Sequence, residues 1–151
     1  MAHEEFLSTS EDDTEELGAA LVDRLAAHLG VDASGGAVVL LEGGLGAGKT
    51  VFVRGMARAL GVDPREVQSP TYTLVHEHDG SRGRLVHADL YRLATDEVAN
   101  LGLDELLAGP GWTAIEWPDR LPAPPSGALL ARLEELADGR RRIEIEAPGR
   151  S

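Results

Sequence analysis

The sequence predicts a single α/β domain, built on a central, mostly parallel sheet with flanking helices and antiparallel edge hairpins. Three observations carry that prediction. Short, wholly apolar runs of strand length alternate with helical patterns, as in strands buried on both faces between helices. A glycine-rich turn joins the first such run to a helix at residues 43–50. A length of 151 residues, 42% hydrophobic and 26% charged, suits one globular domain with a substantial core.

The elements follow in chain order. Residues 1–9 read as an acidic tail, and 10–151 as the folded domain. A first helix is expected from Asp13 or Thr14, either of which can cap it, with Glu15 and Glu16 beside its N-terminal dipole. Leu17, Leu21, Leu25 and Leu29 then form a stripe that ends at Gly30. Ala37–Leu41 reads as a buried strand, and Lys49 to Leu60 as a helix stopped by Gly61 and Pro64. Tyr72–Glu77 and Arg84–Leu90 read as strands joined by a loop over His78–Gly83. A helix is expected across Asp96–Leu107, and a core strand at Trp112–Glu116. Arg142–Ala147 alternates strictly, with Ile143, Ile145 and Ala147 on one face. Leu129–Leu136 has helical propensity, yet the Asp138-Gly139 turn behind it also suits a hairpin.

Charge and composition narrow the function classes. The net charge is −12, but residues 1–16 hold seven acids and no Lys or Arg, which leaves −5 on the rest. Autonomous RNA (tRNA included) or DNA binding is not expected from charge, because phosphate-tracking surfaces draw on clustered Lys and Arg. The one basic cluster, Arg140-Arg141-Arg142, reads as a solvated turn beside a strand. No apolar run is long enough to span a membrane. The acidic N-terminus has no signal-peptide character. With no cysteine there is no disulfide or thiolate site, and a cytoplasmic location is the expectation.

Residues 43–50, Gly-Gly-Leu-Gly-Ala-Gly-Lys-Thr, satisfy G-x-x-x-x-G-K-[ST] in the required strand–loop–helix context. By composition alone, about one such chain in a thousand would carry the pattern by chance. Glycines let the backbone form a nest of N–H groups aimed at phosphate oxygens, and the helix N-terminus adds its dipole. In this pattern Lys49 reaches the β- and γ-phosphates and the Thr50 hydroxyl holds Mg²⁺. Lys49 is the only lysine, against 13 arginines, and it falls where a compact ammonium is wanted. The fold class is therefore P-loop NTPase-like.

No Asp-x-x-Gly follows Thr50 and Asn-Lys-x-Asp is absent, so a GTPase is disfavoured and ATP stands by elimination. Two strand-terminal acids are placed to face the γ-phosphate and metal: Asp89, closing Leu85–Asp89, and Glu116, closing Trp112–Glu116.

Four ordered motifs, Gly-Leu-Gly-Ala-Gly-Lys-Thr (44–50), Ser-Pro-Thr-Tyr-Thr (69–73), His-x-Asp-Leu-Tyr-Arg (87–92) and Ile-Glu-Trp-Pro (115–118), resemble the TsaE family, also called YjeE. The resemblance spans about Thr14 to Ala147. It implies an ATPase, with ATP/ADP and Mg²⁺ as cofactors, that assists synthesis of N6-threonylcarbamoyladenosine in tRNA by acting on the TsaB–TsaD transferase complex. Carried onto this chain, it makes Gly44, Leu45, Gly46, Ala47, Gly48, Lys49, Thr50 and Val51 the phosphate-binding segment. Thr50 and Glu116 become Mg²⁺ ligands. Asp89 becomes the acid acting on the metal shell or the attacking water, and Lys49, Asp89 and Glu116 the catalytic set. The resemblance also implies Thr71 in a switch-like loop, Trp117 beside nucleotide or partner, Glu11 and Thr14 near the adenine, and Arg140 approaching the nucleotide from a C-terminal hairpin. That hairpin favours a strand at Leu129–Leu136. Gly44 stands where the family usually has Asp, and Val51 where a second Thr is common.

Other readings carry less. His76, His78, His87 and Asp89 share a face of paired strands, but the acid is better used by the phosphate chemistry than by a zinc site. Tyr72, Tyr91, Trp112 and Trp117 are too scattered for a base-stacking platform. Arg92 and Arg140 are candidate arginine fingers in cis. A small-molecule P-loop kinase is the main rival function, although the length leaves little room for a lid and acceptor pocket. A nucleotide-gated binding module is the other.

Overall fold

A computed structural model of the chain describes residues 3–68 and 75–147. It contains a seven-stranded sheet built from β1 (His3–Ser8), β2 (Val38–Glu42), β3 (Val75–Gly80), β4 (Gly83–Asp89), β5 (Trp112–Glu116), β6 (Leu129–Glu135) and β7 (Arg141–Glu146). Their spatial order is β1-β7-β6-β2-β5-β4-β3. The central pairs β6–β2, β2–β5 and β5–β4 are parallel, whereas β4–β3, β6–β7 and β7–β1 are antiparallel. The expected parallel centre with antiparallel hairpins at both edges is thus observed. Leu129–Glu135 resolves to strand.

Alternation along β2 divides the core. Val39 and Leu41 pack with Phe52, Met56, Leu21 and Leu25 on one face. Leu40 packs with Leu90, Val98, Leu103 and Ile115 on the other. The first face is covered by α1 (Glu11–Ala20), which runs through a π-helical stretch (Leu21–Leu25) into α2 (Ala26–His28), and by α3 (Lys49–Ala59). The second is covered by α4 (Thr95–Ala99) and α5 (Leu103–Ala108). Leu21, Leu25 and Leu29 are all buried, as the stripe predicts. A four-residue spacing drifts around an α-helix of 3.6 residues per turn; the wider π turn drifts the other way and keeps the leucines aligned.

Several local expectations need correction. The supposed acidic tail carries β1, an edge strand whose Ser8 is opposite Arg141. The first helix begins at Glu11, not at Asp13 or Thr14, because Ser10 Oγ accepts from Asp13 N. Asp13 Oδ2 in turn accepts from Thr9 N, which ties the residue before the cap to the first helical turn. The His78–Gly83 loop shrinks to Ser81-Arg82 between paired Gly80 and Gly83. The helix expected over Asp96–Leu107 breaks into α4 and α5, with Gly102 between them at φ +72°.

Candidate functional site

β2 delivers the chain to the glycine-rich turn at the C-terminal edge of the parallel strands, where ligands bind in open α/β sheets. Gly46 and Gly48 adopt φ of +79° and +98°, the left-handed conformations a backbone nest requires. Gly48 is the N-cap of α3, which starts at Lys49. The helix dipole and its unpaired N–H groups therefore face the turn.

Lys49 is 5% exposed. Its Nζ donates to Gly43 O at 2.6 Å and lies 3.9 Å from the Trp117 ring centroid. Burial lowers the Lys49 pKa, opposed by the carboxylates of Glu116, Asp89 and Asp119. Trp117 has φ 61° and ψ 55° and is the only non-glycine residue at positive φ among the described residues. Pro118 behind it disfavours the right-handed helical region, and the left-handed turn carries the indole back over Lys49. Tyr91 packs against it at 4.8 Å between ring centroids.

The two acids come from neighbouring parallel strands, with Asp89 directly opposite Glu116. Glu116 is buried; its Oε2 accepts from Thr50 Oγ1 at 3.4 Å and lies 2.5 Å from His87 Nε2. Asp89 Oδ1 accepts from Tyr91 N at 3.0 Å. Burial raises the Asp89 pKa, and the nearby Glu116 charge adds to it; the Tyr91 hydrogen bond, His87 and Lys49 pull the other way.

Glu11, Leu45, Gly46, Ala47, Gly48, Lys49, Thr50, Val51, Asp89, Glu116 and Trp117 all line one cavity of about 330 Å³, together with Arg54 and Arg141. That size admits a small-molecule ligand. Thr14 is buried beside it, its methyl near Gly48 and its hydroxyl 2.7 Å from Ser8 Oγ. Gly44 precedes the lining and closes the turn by accepting from Ala47 N at 3.2 Å. An added Cβ at Gly44 would meet nothing within 4 Å, so the turn has room for the Asp common in the resembled family. Thr71 lies outside the described residues.

Arg140 does not join this group. Its guanidinium pairs with Asp138 at 2.7 Å, an exposed ion pair within the turn. The neighbouring Arg141 occupies the expected place, donating from a guanidinium nitrogen to Gly46 O at 3.2 Å across the glycine-rich turn. The Arg140–Arg142 cluster is therefore not a uniformly solvated turn. Parity would have found Arg141, because it shares the strand face of Ile143 and Ile145, which pack on the α1–α3 side. Arg92 is exposed and outside the cavity lining.

His87 is the other residue sequence reasoning left without a role. It shares a strand face with Asp89, and the register sets that face beside Glu116. Among the described residues, no group of three or more His, Cys, Asp or Glu is arranged to hold a metal by itself. The residues present do fit Mg²⁺ held jointly with phosphate, since that ion takes few protein oxygens and Thr50 and Glu116 bring two together. No helix among the described residues is long and apolar enough to cross a membrane.

Comparison with known proteins gives one consistent answer. A family model described as "Threonylcarbamoyl adenosine biosynthesis protein TsaE" matches residues 8–143. The tRNA threonylcarbamoyladenosine biosynthesis protein TsaE of a Nostoc species is 42% identical over 121 residues, covering 78% of this chain and 74% of that protein. Its namesake from Aquifex aeolicus is 37% identical over 142 residues, 93% of this chain and 94% of the other. Among solved structures, YdiB from Bacillus subtilis matches with a TM-score of 0.74 at 28% identity, over 97% of this chain and 86% of that one. The fold is P-loop NTPase-like, as the glycine-rich turn predicts.

Proposed function

The chain belongs to the TsaE family, and from that premise we propose that it is an ATP-hydrolysing accessory protein of tRNA N6-threonylcarbamoyladenosine biosynthesis, acting on the TsaB–TsaD transferase complex. The observation that carries the enzymatic part is the convergence of the Gly46–Gly48 nest, Lys49, Thr50, Asp89 and Glu116 on one cavity.

The nest and the α3 N-terminus bind the phosphates through backbone N–H groups. Lys49 exchanges its Gly43 carbonyl for phosphate oxygens and neutralises charge that develops on them. Thr50 and Glu116 hold Mg²⁺, which when bound acts as a Lewis acid on the phosphate oxygens. Asp89 orients the attacking water. The water oxygen forms a bond to the γ-phosphorus in line with the β–γ bridging oxygen, which leaves with its electron pair on ADP. The released proton passes to the Asp89 carboxylate, whose raised pKa makes it a better acceptor than an ordinary aspartate. Arg141, already across the turn, adds positive charge beside the phosphates. Trp117 and Tyr91 form an aromatic wall next to the site, and Tyr91 at 39% exposure remains available to a partner.

The deciding experiment is ATP hydrolysis by the purified chain, alone and with TsaB–TsaD, beside Lys49→Ala and Glu116→Ala. The expected result is slow turnover alone, stimulated by the complex and abolished in both variants. A complex that neither binds nor alters turnover would reduce the reading to a small ATPase without this partner.

A further inference from the structure

We propose that His87 is a positioning residue for Glu116, donating from Nε2 to Oε2 so that the carboxylate is fixed for a divalent cation shared with Thr50. The inference rests on Glu116 and Thr50 being the Mg²⁺ ligands.

The placement comes from strand register. In the parallel β4–β5 pair, His87 is opposite Ala114 and Asp89 opposite Glu116. His87 and Glu116 therefore project from the same sheet face, two residues out of step, which brings imidazole and carboxylate tip to tip. Both are sealed from solvent, at 0% and 3% exposure, and the Nε2–Oε2 separation is 2.5 Å. A buried carboxylate left without a donor is strongly destabilising, so Glu116 needs such a partner.

The second ring nitrogen assigns the direction of the bond. His87 Nδ1 is buried, with no hydrogen-bond partner among the described residues. A proton there would be an orphaned donor, whereas an idle lone pair is the lesser cost. The proton accordingly sits on Nε2, and the imidazole donates to the carboxylate. Thr50 Oγ1 reaches the same Oε2 from α3. Two donors from two elements hold one carboxylate oxygen and so fix the rotation of the whole group. Such outer-shell bonds orient metal ligands, and losing one typically weakens metal binding about 10–100-fold.

Two variants separate donation from shape. His87→Gln keeps an N–H donor at a reach similar to Nε2, whereas His87→Leu fills the space without one. The readout is the gain in ADP affinity on adding Mn²⁺, measured calorimetrically against the same titration in EDTA, with Glu116→Gln as the ligand control. The expected result is a gain cut about tenfold in His87→Leu and in Glu116→Gln, largely retained in His87→Gln, and metal-free ADP affinity unchanged in the two His87 variants.

An intact gain in Glu116→Gln would overturn the ligand assignment and this inference with it. A reduced gain in Glu116→Gln beside an intact one in His87→Leu would overturn the positioning role alone. Equal loss in His87→Leu and His87→Gln would also overturn it, because shape rather than donation would then matter. A readout that needs no change at His87 is its ¹⁵N spectrum in the unmodified protein. Protonation at Nε2 supports the proposal, and protonation at Nδ1 alone, which would make Nε2 an acceptor, overturns it.

Discussion

Asp89 and Arg141 show how single side chains at this site take their properties from where the strands end. Burial raises the Asp89 pKa, so the folded protein holds that proton more tightly than the unfolded chain does. Stability linked to this group is present when pH is below the ordinary aspartate value, and falls as pH rises through the raised folded-state value. Asp89→Asn removes the cost of the buried charge. It should raise the melting temperature of the nucleotide-free protein by about 2 °C at neutral pH, with the gain vanishing as pH falls through that window. A gain independent of pH would show that the Asp89 charge is not its source. The same variant should lose ATP turnover. For the arginines, Arg141→Ala should weaken ADP binding about tenfold, the typical worth of one charge-assisted hydrogen bond. Arg140→Ala, which removes only an exposed ion pair, should leave it unchanged in the same titration.

At the scale of elements, the site depends on how closely α1 approaches α3. Two glycines permit the contact. A Cβ on Gly18 would fall 2.0 Å from Phe52 O, and one on Gly55 would fall 1.8 Å from Glu15 O. Neither clash can be relieved by a side-chain rotation, because backbone stands on the other side. Gly55→Ala should therefore destabilise the protein by about 2 kcal/mol, overpacking outweighing alanine's better helix propensity, as read from urea denaturation. It should also weaken ADP binding, since α3 begins at the phosphate turn and α1 carries Glu11 and Thr14 to its side. Stability unchanged or raised would mean that the helices separate without cost.

Across the whole molecule, the antiparallel flank β6–β7–β1 connects the N-terminus to the site. β1 pairs with β7 along its full length, and Ser8, opposite Arg141, is buried and bonded to Thr14. Deleting residues 1–9 would turn β7 into an edge strand and release the segment that holds Arg141 over the turn. The expected outcome is a lower urea midpoint together with weaker ADP binding. If both stay as in the full chain, β1 is an appendage and its acidic composition has no structural consequence.

Much of this protein was determined by local sequence. The phosphate turn needed glycine where the nest takes left-handed backbone, at Gly46 and Gly48, and the core strands had to be apolar on both faces because helices cover both. The strand ends at Asp89 and Glu116 followed from the same runs. Tertiary structure decided what depends on pairing. Acidic β1 has no apolar run to announce it and gains its place only from β7. Asp13 and Thr14 can both cap a helix by residue type, and only the fold commits their side chains to Thr9 and Ser8 instead. Arg140 and Arg141 are adjacent and chemically identical, yet Asp138 holds Arg140 within the turn, whereas Arg141 opens β7 and strand parity turns it to the site. His87 meets Glu116 across 29 residues of chain for the same reason: composition selects which residues can do chemistry, and register selects which of them meet.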